Sequence, residues 1–196
     1  MPRTSVEALR RTEIVNGAIR LIAREGYEAT TMRGLAAELD VSTGTITHWF
    51  ATKNQVLVAT LEELAARFAG RTAAALEHAT TPREILLALG DASVPDSPER
   101  VDEQRVWSEL GARAGRTPDL AERHERLYAG WRRQMEKAVD AGIATKELRA
   151  TDAAEWARTY AALIDGLGMH VLLHPESVTP ERMRAAIRAY VAATLG

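Results

Sequence analysis

The stretch from Thr30 to Lys53, TTMRGLAAELDVSTGTITHWFATK, carries the clearest chemistry in this chain of 196 residues. Ser42, Thr43, Thr45 and Thr47 set short hydroxyl side chains close together, His48 follows them, and Arg33 and Lys53 flank the run. Hydroxyls and cations of this kind donate to phosphate oxygens, and a threonine methyl can touch a thymine methyl at a base edge. Gly44 has no side chain to hold a duplex away. Major-groove reading needs a short helix with polar groups outward, and STGTITHW fits, with Ile46 turned inward. Thr31 and Lys53 each stand at a helix start, where the macrodipole favours a phosphate. The candidate DNA contacts are therefore Thr31, Arg33, Ser42, Thr43, Gly44, Thr45, Thr47, His48 and Lys53.

Helices must hold these groups. From Glu7 the apolar residues Leu9, Ile14, Ala18, Leu21 and Ile22 recur at helical spacing, after a loose arm over 1–6. Gly26 ends this helix by tolerating left-handed backbone, and Tyr27 packs back on its end. Thr30 or Thr31 caps a second helix to about Leu39, whose inner face is Leu35, Ala36 and Leu39. Asp40 takes the turn, where Asp tolerates unusual φ. Ser42 or Thr43 caps a third, very short helix ending near His48, and Trp49 and Phe50 plug the base. Thr52-Lys53-Asn54-Gln55 reads as a capping box opening a fourth helix to about His78. Its face of Val56, Leu57, Thr60, Leu61, Leu64, Phe68 and Leu76 is long enough to join two domains rigidly.

Four Ser/Thr-Pro pairs, at Thr81-Pro82, Ser97-Pro98, Thr117-Pro118 and Thr179-Pro180, each offer an N-cap followed by proline at the first helical position. Thr151-Asp152 marks another start. Five further helices are predicted near 82–92, 98–114, 118–141, 152–173 and 180–194, with 93–98 as a loop. The expected fold is all-α. A three-helix helix-turn-helix head over 7–52 is joined by a long helix to a helical ligand-binding and dimerisation domain over 53–196.

Bulk properties narrow the function. The chain has no Cys, which excludes disulfides and thiolate chemistry. Its net charge is -2; residues 1–60 hold 7 Lys/Arg against 6 Asp/Glu, so DNA affinity must come from local placement and from pairing two heads. No apolar run is long enough to span a membrane, and the N-terminus lacks the apolar core of a signal peptide, so a cytoplasmic protein is expected. No Gly-rich phosphate loop, metal motif or nucleophile elbow is present, so neither an enzyme nor a cofactor is expected. His170 and His174 have a spacing that can hold a metal, but no third ligand accompanies them and Pro175 ends the helix, so no metal is expected.

Residues 8–57 resemble the DNA-binding head of the TetR-type repressor family. The family pattern is matched by Gly26-Tyr27, Thr30-Thr31, Ser42-Thr43-Gly44-Thr45-Ile46, Trp49-Phe50 and Lys53. The run Ala161-Ala162-Leu163-Ile164-Asp165-Gly166-Leu167 is similar to the last two helices of the betaine-regulator-like subgroup. Two positions depart from the pattern: Asp40 stands where the family usually has Gly, and Thr47 where it usually has a phosphate-binding Tyr. The second leaves more of the clamp to His48, Thr45 and Lys53.

Readers of this geometry work in pairs, because two heads about one helical turn apart read a two-fold operator. The last two helices look too apolar for burial on one side. Tyr160, Leu163, Ile164, Leu167, Met183, Ile187, Tyr190 and Val191 are the candidate homodimer residues, with Gly166 and Gly168 allowing close approach, and the resemblance implies a four-helix interface. Glu103, Trp107, Tyr128, Trp131, Met135 and Trp156 are the candidate pocket for a small-molecule effector of unknown identity. Arg105, Glu109 and Asp165 are further polar candidates. The function expected is a ligand-responsive transcriptional regulator, a repressor that binds a double-stranded DNA operator as a dimer and is released by a small organic effector. The alternative is a dimeric small-molecule-binding protein with weak or lost DNA binding.

Overall fold

Leu, Ala, Arg and Glu dominate over β-branched residues, and in a computed structural model every regular element among the described residues is a helix. The structure describes residues 3–196, with side chains from residue 10 onward. The helices are α1 (Arg3–Glu25), α2 (Met32–Glu38), α3 (Thr43–Trp49), α4 (Lys53–Leu76), α5 (Pro82–Asp91), α6 (Pro98–Ala114), α7 (Pro118–Ala144), α8 (Ala153–Leu173) and α9 (Pro180–Leu195). Helix α1 starts at Arg3, so residues 3–6 are helical rather than a loose arm. Residues 1 and 2 of that expected arm, and the side chain of Leu9, lie outside the described residues.

Local chemistry explains most of the boundaries. Gly26 has φ 79, the left-handed backbone expected at the end of α1, and Asp40 takes φ 52 in the α2–α3 turn. The capping oxygens are those of Thr31, which accepts from Gly34 N–H at 2.9 Å, and of Ser42, which accepts from Thr45 N–H at 3.0 Å. Thr30 instead donates its hydroxyl back to the Gly26 carbonyl. At α4, Thr52 accepts from Gln55 N–H, but the Gln55 side chain takes the N–H of Ala51 rather than that of Thr52, so the box closes one residue early. Thr81, Ser97 and Thr179 cap as expected. Thr117 is a correction: it makes no side-chain cap bond, and Pro118 alone marks the start of α7.

Two cores divide the apolar side chains. The first joins Ile14, Leu21, Leu35, Ile46, Phe50 and Leu61 of α1–α4 to Val106, Leu110 and Ala114 of α6. The second gathers Leu86, Met135, Tyr160, Ile164, Met183, Ile187 and Val191 from α5, α7, α8 and α9. Helix α4 serves both, with Val56 to Leu64 in the first and Phe68 and Leu76 against the second.

Candidate nucleic-acid interface and effector cavity

On α3, Ile46 is buried while Thr43, Gly44, Thr47 and His48 are exposed, so the helix turns its polar side outward. Thr45 is half-buried and its hydroxyl is 2.9 Å from that of Ser42; Thr47 donates to the Gly44 carbonyl at 3.2 Å. Both hydroxyls keep lone pairs or rotational freedom for a further partner. Helix α2 is fixed against α1 by Glu38, which accepts from Arg20 at 3.3 Å and Arg24 at 3.0 Å. The Arg24 hydrogen bond holds the Glu38 carboxyl below its ordinary range. Arg33 is exposed and has no ion-pair partner among the described residues.

Lys53 is placed differently from a free phosphate clamp. Its ammonium donates to the Glu28 carbonyl at 3.1 Å and lies 4.0 Å from the Tyr27 ring centroid. Burial lowers its pKa, opposed by Glu28. Arg113 of α6 also lies over the Tyr27 ring, at 4.2 Å, and pairs with Glu28. Glu109 of α6 accepts the Tyr27 N–H at 2.7 Å. The loop after α1, the first residue of α4 and the C-terminal half of α6 thus meet on one tyrosine.

A cavity of about 260 Å³ lies where the two cores meet, walled by α4, α6, α7, α8 and the loop after α5. Glu103, Trp107, Tyr128 and Trp131 line it, together with Asp165. Met135 and Trp156 do not: Met135 is fully buried in the second core, and Trp156 packs on Tyr160 and Tyr190 and donates to Thr194 at 2.8 Å. Nor do Arg105, paired on the surface with Asp102, or Glu109. The sequence reading missed Phe68, Arg71, Thr72 and Arg100, which also line the cavity. Phe68 had a usable signal, as an aromatic on the inner face of α4; nothing in the spacing of Arg71 and Arg100 distinguishes them from solvated surface charges.

The wall is aromatic and charged. Trp107 stacks on His124 at 4.6 Å, and Trp131 meets both Tyr128 and Phe68 edge-on at 5.6 Å. Glu103, only 6% exposed, is compensated by Arg67 at 3.0 Å and Arg71 at 2.8 Å. Asp165 is not compensated: its one hydrogen bond among the described residues comes from the Tyr128 hydroxyl, and no cation pairs with it. Burial raises its pKa, opposed by the Tyr128 bond, and burial likewise pushes the Tyr128 phenol up.

The faces of α8 and α9 correct the expected dimer set. Tyr160, Ile164, Met183, Ile187 and Val191 are turned into the protomer's own core, because the strongest apolar face packs on α5 and α7. Leu163, Leu167 and Tyr190 are half-buried. The outward face carries Ala162, Gly166, Met169 and Leu173 on α8, the last 62% exposed, and Ala185, Ala189 and Ala192 on α9. A Cβ at Gly166 would meet nothing within 4 Å, whereas at Gly168 it would press on Gln104 of α6. His170 and His174 stack at 5.4 Å near the end of α8, and no group of three metal-binding side chains occurs among the described residues. No helix among the described residues is long and apolar enough to cross a membrane.

Comparison with known proteins agrees along the whole chain. Residues 14–60 match the family described as bacterial regulatory proteins, tetR family, and residues 82–196 match the BetI-type transcriptional repressor, C-terminal family. The HTH-type transcriptional regulator BetI of Rhizobium meliloti (strain 1021) is 30% identical over 195 residues, covering 100% of this chain and 94% of its own. PksA, an HTH-type transcriptional regulator of Bacillus subtilis (strain 168), is 26% identical over 192 residues, covering 97% and 92%. Among solved structures, a transcriptional regulator from Saccharomonospora viridis in complex with choline superposes with a TM-score of 0.90 at 28% identity, covering 96% of this chain and 98% of that one.

Proposed function

We propose that this chain, which belongs to the tetR family of bacterial regulatory proteins and carries a BetI-type C-terminal domain, is a dimeric repressor released from its operator by a small organic cation. It is a transcriptional regulator of the helix-turn-helix class. The observation that carries the effector class is Asp165, a half-buried carboxylate without a counter-cation among the described residues, in a cavity walled by Phe68, Trp107, Tyr128 and Trp131. A carboxylate there favours a positive ligand, and aromatic faces attract an ammonium whose methyl groups cannot hydrogen-bond. The Saccharomonospora viridis relative bound to choline is consistent with that chemistry.

In this reading α3 enters the major groove, with Thr43, Gly44, Thr45, Thr47 and His48 toward the bases and Thr31, Arg33 and Ser42 toward phosphates. Lys53 joins the phosphate set only by leaving Glu28. The dimer forms through the outward small-residue faces of α8 and α9, around Ala162, Gly166, Ala185 and Ala189. The N-terminal half of α6 touches the cavity and its C-terminal half holds Tyr27. A ligand that prefers one position of α6 therefore biases the position of the head, and release is a shift between two populations set by the ligand's differential affinity.

A gel-shift titration against the DNA flanking the protein's own gene, at two salt concentrations, tests this. The expected result is a discrete, salt-sensitive complex that choline or tetramethylammonium dissolves. A complex that no organic cation releases rejects the effector class. A smear equal on all DNA at both salts supports the DNA-independent dimer instead, a reading favoured by Thr47 and by the tethered Lys53.

A further inference from the structure

The Tyr27 ring is shared by cations from two helices. Lys53, the first residue of α4, places its ammonium 4.0 Å from the ring centroid, and Arg113 of α6 places its guanidinium 4.2 Å from it. Each is attracted by the ring, but two like charges in one small site repel each other. The ring cannot follow either cation. It is 5% exposed, the Tyr27 N–H is held by Glu109 at 2.7 Å, and Thr30 closes the loop with two bonds to the Gly26 carbonyl.

Glu28 is what the two cations divide. Its carboxylate pairs with Arg113, and its carbonyl accepts from Lys53 at 3.1 Å. The Glu28 side chain is 78% exposed, so it can turn to a new partner at little cost; that of Arg113 is 34% exposed and is held by the ring. Burial lowers the Lys53 pKa, Glu28 opposes this, and Arg113 lowers it further. With Arg113 in place, Lys53 is tethered only by a carbonyl and a ring face. Both are neutral, and the ammonium leaves them readily for a phosphate. Without Arg113, a free carboxylate stands beside the ammonium, and the ion pair that forms competes with the phosphate.

We propose that Arg113 is a positioning residue for DNA binding: by occupying the Glu28 carboxylate, it keeps Lys53 free to reach a phosphate. This rests on the DNA-binding reading above and does not depend on the chemistry of the effector. Arg113 touches no DNA in this scheme; it acts through Glu28 on the first residue of α4. Because Arg113 rides on α6, a movement of that helix changes which cation the Glu28 carboxylate takes. Each head can then lose one phosphate contact while α3 keeps its cap and its buried Ile46.

The test uses the full chain and its operator fragment, with affinity read by gel shift across a salt series. Arg113→Gln should bind about tenfold more weakly, with a dependence of log affinity on log salt shallower by up to about 1.8 per dimer. Glu28→Gln should bind at least as tightly as the unaltered chain, and Arg113→Gln with Glu28→Gln should recover its affinity and slope. Arg113→Gln with Glu25→Gln restores the same net charge at a carboxylate that pairs with Arg24, and should recover neither. Acetylation of Lys53 by acetic anhydride, read by mass spectrometry without DNA, should slow about threefold in Arg113→Gln and recover when Glu28→Gln is added. An Arg113→Gln protein with the full slope overturns the proposal. So does a pairing with Glu28→Gln that binds no better than Arg113→Gln alone, or a recovery that Glu25→Gln matches. No discrete complex for the unaltered chain rejects the DNA-binding reading; Lys53 acetylation then decides alone, and a rate unchanged by Arg113→Gln overturns the proposal.

Discussion

Ile164 and Gly166 sit two residues apart on α8, and replacing each by arginine separates the protomer's core from its dimer surface. Ile164 is 2% exposed and packed in the second core. Ile164→Arg loses the buried side chain, about 2–5 kcal/mol for truncations of this kind, and adds an unpaired charge to an apolar site. Against a total stability of roughly 5–15 kcal/mol, much of the protein should be unfolded. Gly166 is the opposite case. A Cβ there meets nothing within 4 Å in the protomer, and arginine is a better helix former than glycine by about 0.8 kcal/mol. A free protomer of this size should melt roughly 2–4 °C higher for each kcal/mol gained. Across a two-fold axis the same substitution brings two bulky like charges together on a face otherwise made of alanines. Gly166→Arg should therefore give a folded monomer by light scattering, with a melting temperature independent of protein concentration and no discrete operator complex. A folded Gly166→Arg protein that remains dimeric refutes the assignment of the interface to this face of α8.

Three other outcomes follow from the geometry. Arg33→Ala should lower affinity for all sequences and reduce the dependence of log affinity on log salt by about 1.8 per dimer, the loss of one phosphate contact in each head; an unchanged slope removes Arg33 from the phosphate set. Ser42→Ala should cost about 1 kcal/mol in urea unfolding through loss of the α3 cap, and an unchanged midpoint would mean that the Ile46 packing alone holds that helix. Burial raises the Asp165 pKa, and a cation needs the ionised form, so tetramethylammonium binding should weaken as pH is lowered through a window that begins above the ordinary aspartate range and should release a proton on binding in that window. Asp165→Asn should bind weakly at all pH values in that window; a variant with wild-type affinity and pH profile would show that Asp165 is not the counter-ion.

The helix starts were legible because Ser or Thr before Pro acts locally, and Thr81, Ser97 and Thr179 need only their own next turn to cap. The polar outer face of α3 was legible for a related reason, since one buried Ile46 on so short a helix determines which way everything else points. The faces of α8 and α9 were harder. Periodicity groups Tyr160, Ile164 and Gly168 on one stripe but does not say whether that stripe meets the chain's own α5–α7 layer or a second copy. The bulky stripe went to the protomer's core, and the alanines between were left outside. The cavity was half-legible. Trp107, Tyr128 and Trp131 were found as large aromatics on middle helices, but Met135 and Trp156 differ from them only by helix rotation. Arg71 and Arg100 become cavity residues only through ion pairs with Glu103 and Asp96, which depend on how α4, α6 and the intervening loop pack.

The head's core is not closed by the head. Val106, Leu110 and Ala114 of α6 complete it, and Glu109 and Arg113 hold its first loop at Tyr27 and Glu28. Modular exchange in this fold is therefore constrained. Cutting after residue 52 and grafting the head onto another regulator's sensing domain would leave Ile14 and Leu21 facing a foreign floor and would leave Leu61 of α4 behind. A functional chimera would have to carry that side of α6 with it. By the same logic, the head and the floor beneath it should drift together in evolution, while the residues that choose the effector, on the other half of the same helix, remain free to change.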